Sequence, residues 1–286
     1  MLVERDFPLN KLARSLSKNL LKLHKIHFGE NDSFEITEHV RKTCPFPFDF
    51  DAYSNDDYES RWAYIVDLRD ATNAEWARIE KTNEIEPLAQ LARWMVADTG
   101  GINGNKDETI LNFTKMAAAF GFVENKKGIS SYSKILAAKD RYKYQIFDTR
   151  VAAALNIMQL SYFGGRRFYF DVDGARNKDV VEFDNLFPKR SFTMIGFKNI
   201  KQDLGVSDYK YYTLLVERMA HYARRETIEI EMMLFDYCLN LVSDLKYVEE
   251  NFLNNIGKIK ETDAYWKARG VNKTPKQLLQ ILRDEF

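Results

Sequence analysis

Two residues of this 286-residue chain stand where a side chain can do chemistry. Lys134 closes the segment Gly128-Ile129-Ser130-Ser131-Tyr132-Ser133-Lys134, and Asp148 lies in Ile146-Phe147-Asp148-Thr149-Arg150-Val151-Ala152. The spacing predicts a short helix near residues 132–139, with Lys134 in its first turn. There the positive end of the backbone dipole disfavours an ammonium by ~0.3–1 kcal/mol. Neighbouring cations lower its pKa further, and a lysine so perturbed is what a Schiff-base nucleophile requires. Asp148 precedes the apolar run Val151 to Leu155 and reads as a helix N-cap, a carboxylate held by backbone N–H groups and able to face a developing positive charge. Each residue also has a plainer reading, a solvated lysine and a cap with no other role. Their pairing inside a basic block is what points to chemistry.

That block emerges when the charge is read by segment. The chain carries 42 Lys plus Arg against 42 Asp plus Glu, a formal charge of zero, which excludes a polybasic protein that coats nucleic acid. Residues 31–110, however, hold 8 basic and 17 acidic side chains, and residues 111–170 hold 10 basic and 3 acidic. A basic stretch of this kind is the footprint of a phosphate-tracking face, or else a solvated surface that pairs with the acidic block. Lys126-Lys127 beside the glycine and Arg166-Arg167 after Gly164-Gly165 are its clearest members.

Helices must position these groups. Leu12, Leu16, Leu20, Leu23 and His27 recur at helical spacing until Gly29. The stretch Pro45-Phe46-Pro47-Phe48-Asp49-Phe50-Asp51 reads as extended or looped, and helical periodicity resumes from Tyr58 to Glu80. Pro87 suits the start of a further helix. Asp107 is expected to cap one whose apolar face is Ile110, Phe113, Met116, Ala117 and Phe120, with Gly121 as its stop. Between Gly164 and Ile200 the aromatic and β-branched runs 167–172, 180–183 and 192–195 suggest loops with a small β-hairpin. Helices return from Ser207, the last opening on the capping box Thr274-Pro275-Lys276-Gln277. The expected class is mostly α with a minor β insertion. Residues 1–110 would form an N-terminal helical part with an acidic loop, and residues 111–286 the part bearing the chemistry, together one two-lobed unit.

Several classes are excluded. Hydrophobic content of 45% excludes global disorder. The start Met1-Leu2-Val3-Glu4-Arg5-Asp6 has no basic region and apolar run of a secretory signal, and no run reaches the ~18 apolar residues of a membrane span. Two distant cysteines, Cys44 and Cys238, give no iron–sulfur or zinc spacing with the four histidines, so neither metal nor cofactor is expected. A reduced, cytoplasmic setting is the simplest reading of the two thiols. His24 and His27, three apart on one helix, read as solvated.

The segment Ser131 to Leu155 resembles the helix–hairpin–helix DNA glycosylase superfamily, in particular its prokaryotic 8-oxoguanine DNA glycosylase-like proteins. The likeness is carried by Ser133-Lys134 and by Ile146-Phe147-Asp148-Thr149-Arg150-Val151-Ala152. Trp94 with Gly100-Gly101-Ile102-Asn103 and the run Glu229-Ile230-Glu231-Met232-Met233-Leu234-Phe235 are similar to further elements of those proteins. Where the family hairpin has two phosphate-holding glycines, this chain has Gly128 and Ser130.

The resemblance implies a helix–hairpin–helix fold and a monomeric glycosylase with AP lyase activity, acting on a damaged or modified base in double-stranded DNA. Lys134 would attack C1′ and Asp148 would assist it. Gly128, Ser130, Ser131, Lys126, Lys127, Arg150, Arg166 and Arg167 would contact DNA. Removal of a modified base from foreign DNA uses the same chemistry and stays open, as does a non-catalytic helical protein that binds DNA or a partner. Ser131-x-x-Lys134 also matches the Ser-x-x-Lys signature of penicillin-recognising enzymes. The accompanying Ser207-Asp208 and Lys273-Thr274 are followed by Tyr209 and Pro275, the wrong residues, which rejects that assignment.

Overall fold

The computed structural model describes residues 7–27, 36–54, 58–124, 128–160, 162, 165–172, 177–187, 189–194 and 196–245. Gly29, Lys126, Lys127, Gly164 and the capping box at Thr274 lie outside these residues. The protein is mostly α. In the first half, α1 (Phe7–His27), α2 (Glu38–Thr43), α3 (Tyr58–Glu80) and α4 (Ile85–Arg93) run into a π-helical turn, Trp94–Asp98. Next come α5 (Asp107–Phe120), α6 (Ile129–Lys139) and α7 (Thr149–Leu160). The remainder holds β1 (Arg167–Tyr169), α8 (Lys178–Leu186), α9 (Lys189–Met194), β2 (Phe197–Asn199), α10 (Ile200–Leu204), α11 (Asp208–Ala223) and α12 (Thr227–Asp236), with a last helical stretch over residues 238–245.

The helices form where periodicity and caps agree. In α1, Leu9, Leu12, Leu16 and Leu20 are buried and the helix packs on α11. In α3, Tyr64, Leu68, Thr72, Trp76 and Ile79 make the inward stripe, and α3 packs against α6. Every residue from Val151 to Gln159 of α7 is buried, the pattern of a helix enclosed by neighbours on all sides. Those neighbours include α1, α8, α12 and β1. The buried side chains from Leu9 to Leu245 form one contiguous cluster, and residue 110 falls inside α5.

Five expectations are corrected. The β insertion is not a hairpin, because β1 and β2 pair in parallel with Arg167 opposite Phe197. Parallel strands need a crossover, and here it carries α8 and α9, so the runs at 180–183 and 192–194 are helical. Asn177 starts α8 by accepting from the amides of Asp179 and Val180. Asp107 is the first residue of α5 rather than its cap, which is Lys106, and Phe120 is exposed. His24 is not solvated: Nδ1 shares a 2.7 Å hydrogen bond with the Tyr237 hydroxyl, and burial lowers its pKa. Pro87 is the third residue of α4, which begins at Ile85.

Among the described residues β1 has no sheet neighbour on the side away from β2. Two amides of α7 replace it. Gln159 accepts from the amide of Phe168 and donates to its carbonyl, and Asn156 does the same for Phe170, all within 2.8–2.9 Å. These pairings satisfy buried backbone groups that would otherwise be costly, and they explain why both side chains are fully buried in an apolar helix. Cys44 and Cys238 are free thiols. Among the described residues no helix is long and apolar enough to cross a membrane, and no three His, Cys, Asp or Glu side chains converge as a metal site.

Candidate active site

The site is built where α6 meets the start of α7. Gly128 takes up a left-handed conformation (φ 77°) and sets the start of α6 at Ile129, three residues earlier than the sequence suggested. Lys134 is therefore the sixth helical residue, past the turn in which the helix dipole acts. The dipole explanation for its perturbation is corrected; burial takes its place. Lys134 is only 6% exposed. Desolvation depresses its pKa, Asp148 and Glu231 oppose that shift, and Arg69 and Arg150 reinforce it.

Asp148 caps α7 as expected. Its Oδ1 accepts from the backbone amides of Arg150 and Val151 at 3.0 and 3.1 Å. This occupies one oxygen and leaves Oδ2 to face Lys134, 4.0 Å from Nζ. Among the described residues Nζ makes no hydrogen bond, and Asp148 is the carboxylate paired with it, with Glu231 acting from further off. A positioned carboxylate and an under-solvated amine are thus held together, and the cap is what aims the carboxylate.

Lys134 reaches this place because Gly100 lets it. A Cβ on Gly100 would lie 2.5 Å from Cε and 2.7 Å from Cδ of the lysine, and 2.8 Å from the Met95 carbonyl. The lysine stem lies directly along the backbone that follows the π-helical turn.

The segment that delivers Asp148, residues 145–147, belongs to no helix and no sheet. Side chains from three helices hold it. The hydroxyl of Tyr209 donates to the Gln145 carbonyl and that of Tyr212 to the Ile146 carbonyl, at 3.1 and 2.8 Å. Glu231 accepts from the Ile146 amide at 2.6 Å, and Ser133 accepts from the Phe147 amide at 3.0 Å. The serine contact has a direct consequence. Ser133 pins Phe147, so the residues that follow each in sequence, Lys134 and Asp148, are brought face to face.

The other sequence candidates are scattered. Arg150 stacks its guanidinium over Phe235 at 4.6 Å and lies close enough to act on the lysine. Gly128 is exposed and Ser130 half-buried at the start of α6. Ser131 is buried and accepts from the Asn105 amide at 2.8 Å, so its side chain faces the interior rather than a DNA backbone. Arg166 is exposed and pairs with Asp203 at 2.9 Å. Arg167 is stacked over Phe197 at 4.9 Å, and burial lowers its pKa. The structure brings Lys134, Asp148 and Arg150 together and leaves Arg166 and Arg167 in the β insertion.

Residues that sequence reasoning did not single out complete the site: Arg69, Tyr209, Tyr212, and individually Ser133, Glu231 and Gly100. The last three lie inside runs already noted for their resemblance. Arg69 and the tyrosines carry no local signal, because their role is set by contacts 64 or more residues away in sequence. Comparison with protein-family models, with curated proteins and with solved structures finds no match for this chain.

Proposed function

We propose that this protein is a DNA glycosylase with AP lyase activity, built on a helix–hairpin–helix fold in which α5, the turn at Gly128 and α6 form the hairpin unit. One observation carries the reading: a desolvated lysine amine stands 4.0 Å from a carboxylate that the start of α7 orients. In this scheme the neutral Nζ attacks C1′ of a flipped nucleotide. The C1′–N bond breaks with its electron pair leaving on the base. Asp148 takes the proton that Nζ releases, and the departing base is protonated in turn. Opening of the sugar ring yields the Schiff base, and loss of a C2′ proton expels the 3′ phosphate. Asp148 also stabilises the oxocarbenium-like charge in a water-poor setting. No cofactor is needed.

Double-stranded DNA would meet the exposed Gly128, the half-buried Ser130 and Lys126-Lys127, with Arg166 as an outer contact. Flipping of the base is the step that brings C1′ to a buried amine. Repair of an oxidised base and removal of a modified base from invading DNA share this step and differ in the base pocket.

A second reading, a non-catalytic helical protein that binds DNA or a partner, rests on the closure of the site. A lysine 6% exposed and paired with one carboxylate is also the description of a buried structural ion pair. Borohydride trapping separates the two. The protein is incubated with duplexes containing 8-oxoguanine, uracil, alkylated bases, hypermodified bases or an abasic site. The expected result is a covalent adduct on at least one duplex, lost in Lys134→Gln. An adduct of undiminished yield in Lys134→Gln removes this lysine from the mechanism, and no adduct on any duplex favours the binding protein.

A further inference from the structure

Glu231 of α12 is 3% exposed, and both of its carboxylate oxygens are used. Oε1 accepts from Nη2 of Arg69, on α3, at 2.5 Å, and Oε2 accepts from the amide of Ile146 at 2.6 Å. Arg69 is itself nearly enclosed. An ion pair in this setting is a weak source of stability, because two charges are stripped of water. A glutamine at position 231 could accept from the same amide through its carbonyl without that cost. The charge therefore calls for a reason, and its position supplies one. Ile146 lies two residues before Asp148, and Lys134 feels Glu231 and Arg69 together with Asp148 and Arg150.

We propose that Arg69 and Glu231 are a positioning pair for the lysine site: Glu231 clamps the segment that delivers Asp148, and Arg69 counters the charge that Glu231 would otherwise impose on Lys134. The inference rests on the glycosylase reading for its biological sense but not for its test. The groups facing the lysine are Arg69 from α3, Asp148 and Arg150 at the start of α7, and Glu231 from α12. Tyr212 of α11 lies in the same field of charges and is neutral, its pKa pushed well up by burial. From the turn before α5 the lysine meets the backbone at Gly100.

With the pair intact, Glu231 and Arg69 act on Nζ in opposite directions, Glu231 the more strongly. Removing one partner leaves the other uncompensated, so the two single substitutions act with opposite signs. Glu231→Gln keeps an acceptor for Ile146 and leaves Arg69 positive, which makes the lysine easier to deprotonate. Arg69→Gln keeps a donor for Glu231 and leaves the carboxylate negative, which makes it harder. A role limited to packing or clamping predicts no such reversal of sign.

The experiment is a titration of the full chain by NMR without DNA. The Lys134 side chain is followed in protein carrying 13Cε-labelled lysine and assigned by its loss in Lys134→Gln. Borohydride trapping on abasic DNA is measured across pH in parallel. The midpoint is expected to fall by about one pH unit in Glu231→Gln and to rise by about one in Arg69→Gln, with the double variant returning towards the parent. Shifts of the same sign, or none, overturn the proposal. Should Glu231→Gln not fold, Arg69→Gln against the parent decides it, a rise supporting the pair and an unmoved midpoint ending it. Opposite shifts in a protein that traps no DNA uphold the positioning pair and remove the glycosylase reading. Adducts with unmoved midpoints do the reverse.

Discussion

The middle of α6 and its C-terminal end each hold a lysine, and the two are treated in opposite ways. Lys139 donates to the carbonyls of Ala117 and Ala118 and to Glu80, each at 3.0 Å. Those carbonyls belong to the last turn of α5, where unpaired acceptors and the negative end of the helix dipole welcome a cation. Lys139 has every proton placed and remains partly in contact with solvent. Lys134, five residues earlier, is more deeply buried, makes no hydrogen bond among the described residues and faces one carboxylate at 4.0 Å. One lysine is satisfied and fixes two helices together. The other is deprived of water and of full compensation, which is the condition under which an amine gives up its proton and becomes a nucleophile. Sites that depart from local satisfaction in this way are where function is to be sought.

The sharpest way to break this contrast is through Asp148. Asn is as good an N-cap as Asp, so Asp148→Asn should keep α7 in place while trapping on the active duplex slows by about 10²–10⁴-fold. Asp148→Ala should show the same slowing and lose a further ~0.5–2 kcal/mol of stability with the cap. If Asp148→Asn traps at the parent rate, the carboxylate only caps, and the middle of α6 is no more chemical than its end.

A smaller effect is expected at the other lysine. Lys139→Met removes the lysine donor from the Ala118 carbonyl and leaves that of Ala117 with the Gly121 amide alone, and should cost about 1–3 kcal/mol in urea unfolding, the scale of losing a donor to a partly buried group. Trapping should be unchanged. A variant that keeps its stability and loses its chemistry would invert the roles assigned to the two residues.

The smallest effect is a pH dependence of stability. Burial holds the folded-state pKa of Lys134 below the ordinary lysine value of 10.5, so the unfolded chain binds more protons at pH values between the two. Stability from this group must therefore rise with pH across that window. Below the folded pKa the full cost of burying the charged amine is present, and above 10.5 it is gone. Comparing Lys134→Met with the parent by thermal unfolding should show the variant gaining most at neutral pH. The gap should narrow, by a few degrees at most, as pH rises towards 10.5. A gap that widens with pH contradicts a lysine destabilised in its charged form.

Much of the helical framework was legible in the sequence, and the reason is local. The leucines of α1, the stop at Gly121 and the cap at Asp148 act within four residues of their own position, so spacing alone announces them. The same reasoning failed at the start of α6. Gly128-Ile129-Ser130-Ser131 reads as a turn, yet a left-handed glycine starts the helix at once, and three residues of error turned a first-turn lysine into one buried in mid-helix. It failed again in the β insertion. Short aromatic runs are ambiguous between strand and helix, and the parallel pairing of residues 167–169 with 197–199 depends on a crossover and on two amides of α7.

The sequence by itself determined the residue types that can do chemistry, the mostly helical class, and the cap that orients Asp148, because composition, period and capping act over a few residues. Only the tertiary structure decided how these residues behave. It buried Lys134, which no local dipole could have perturbed at its true place in the helix. It set Ser133 against Phe147 so that lysine and carboxylate meet, and laid the lysine stem on Gly100. It also brought Arg69 and Glu231 to the same centre from helices 162 residues apart in the chain. Desolvation and charge balance are sums over neighbours in space, and those neighbours are fixed by packing rather than by position along the chain.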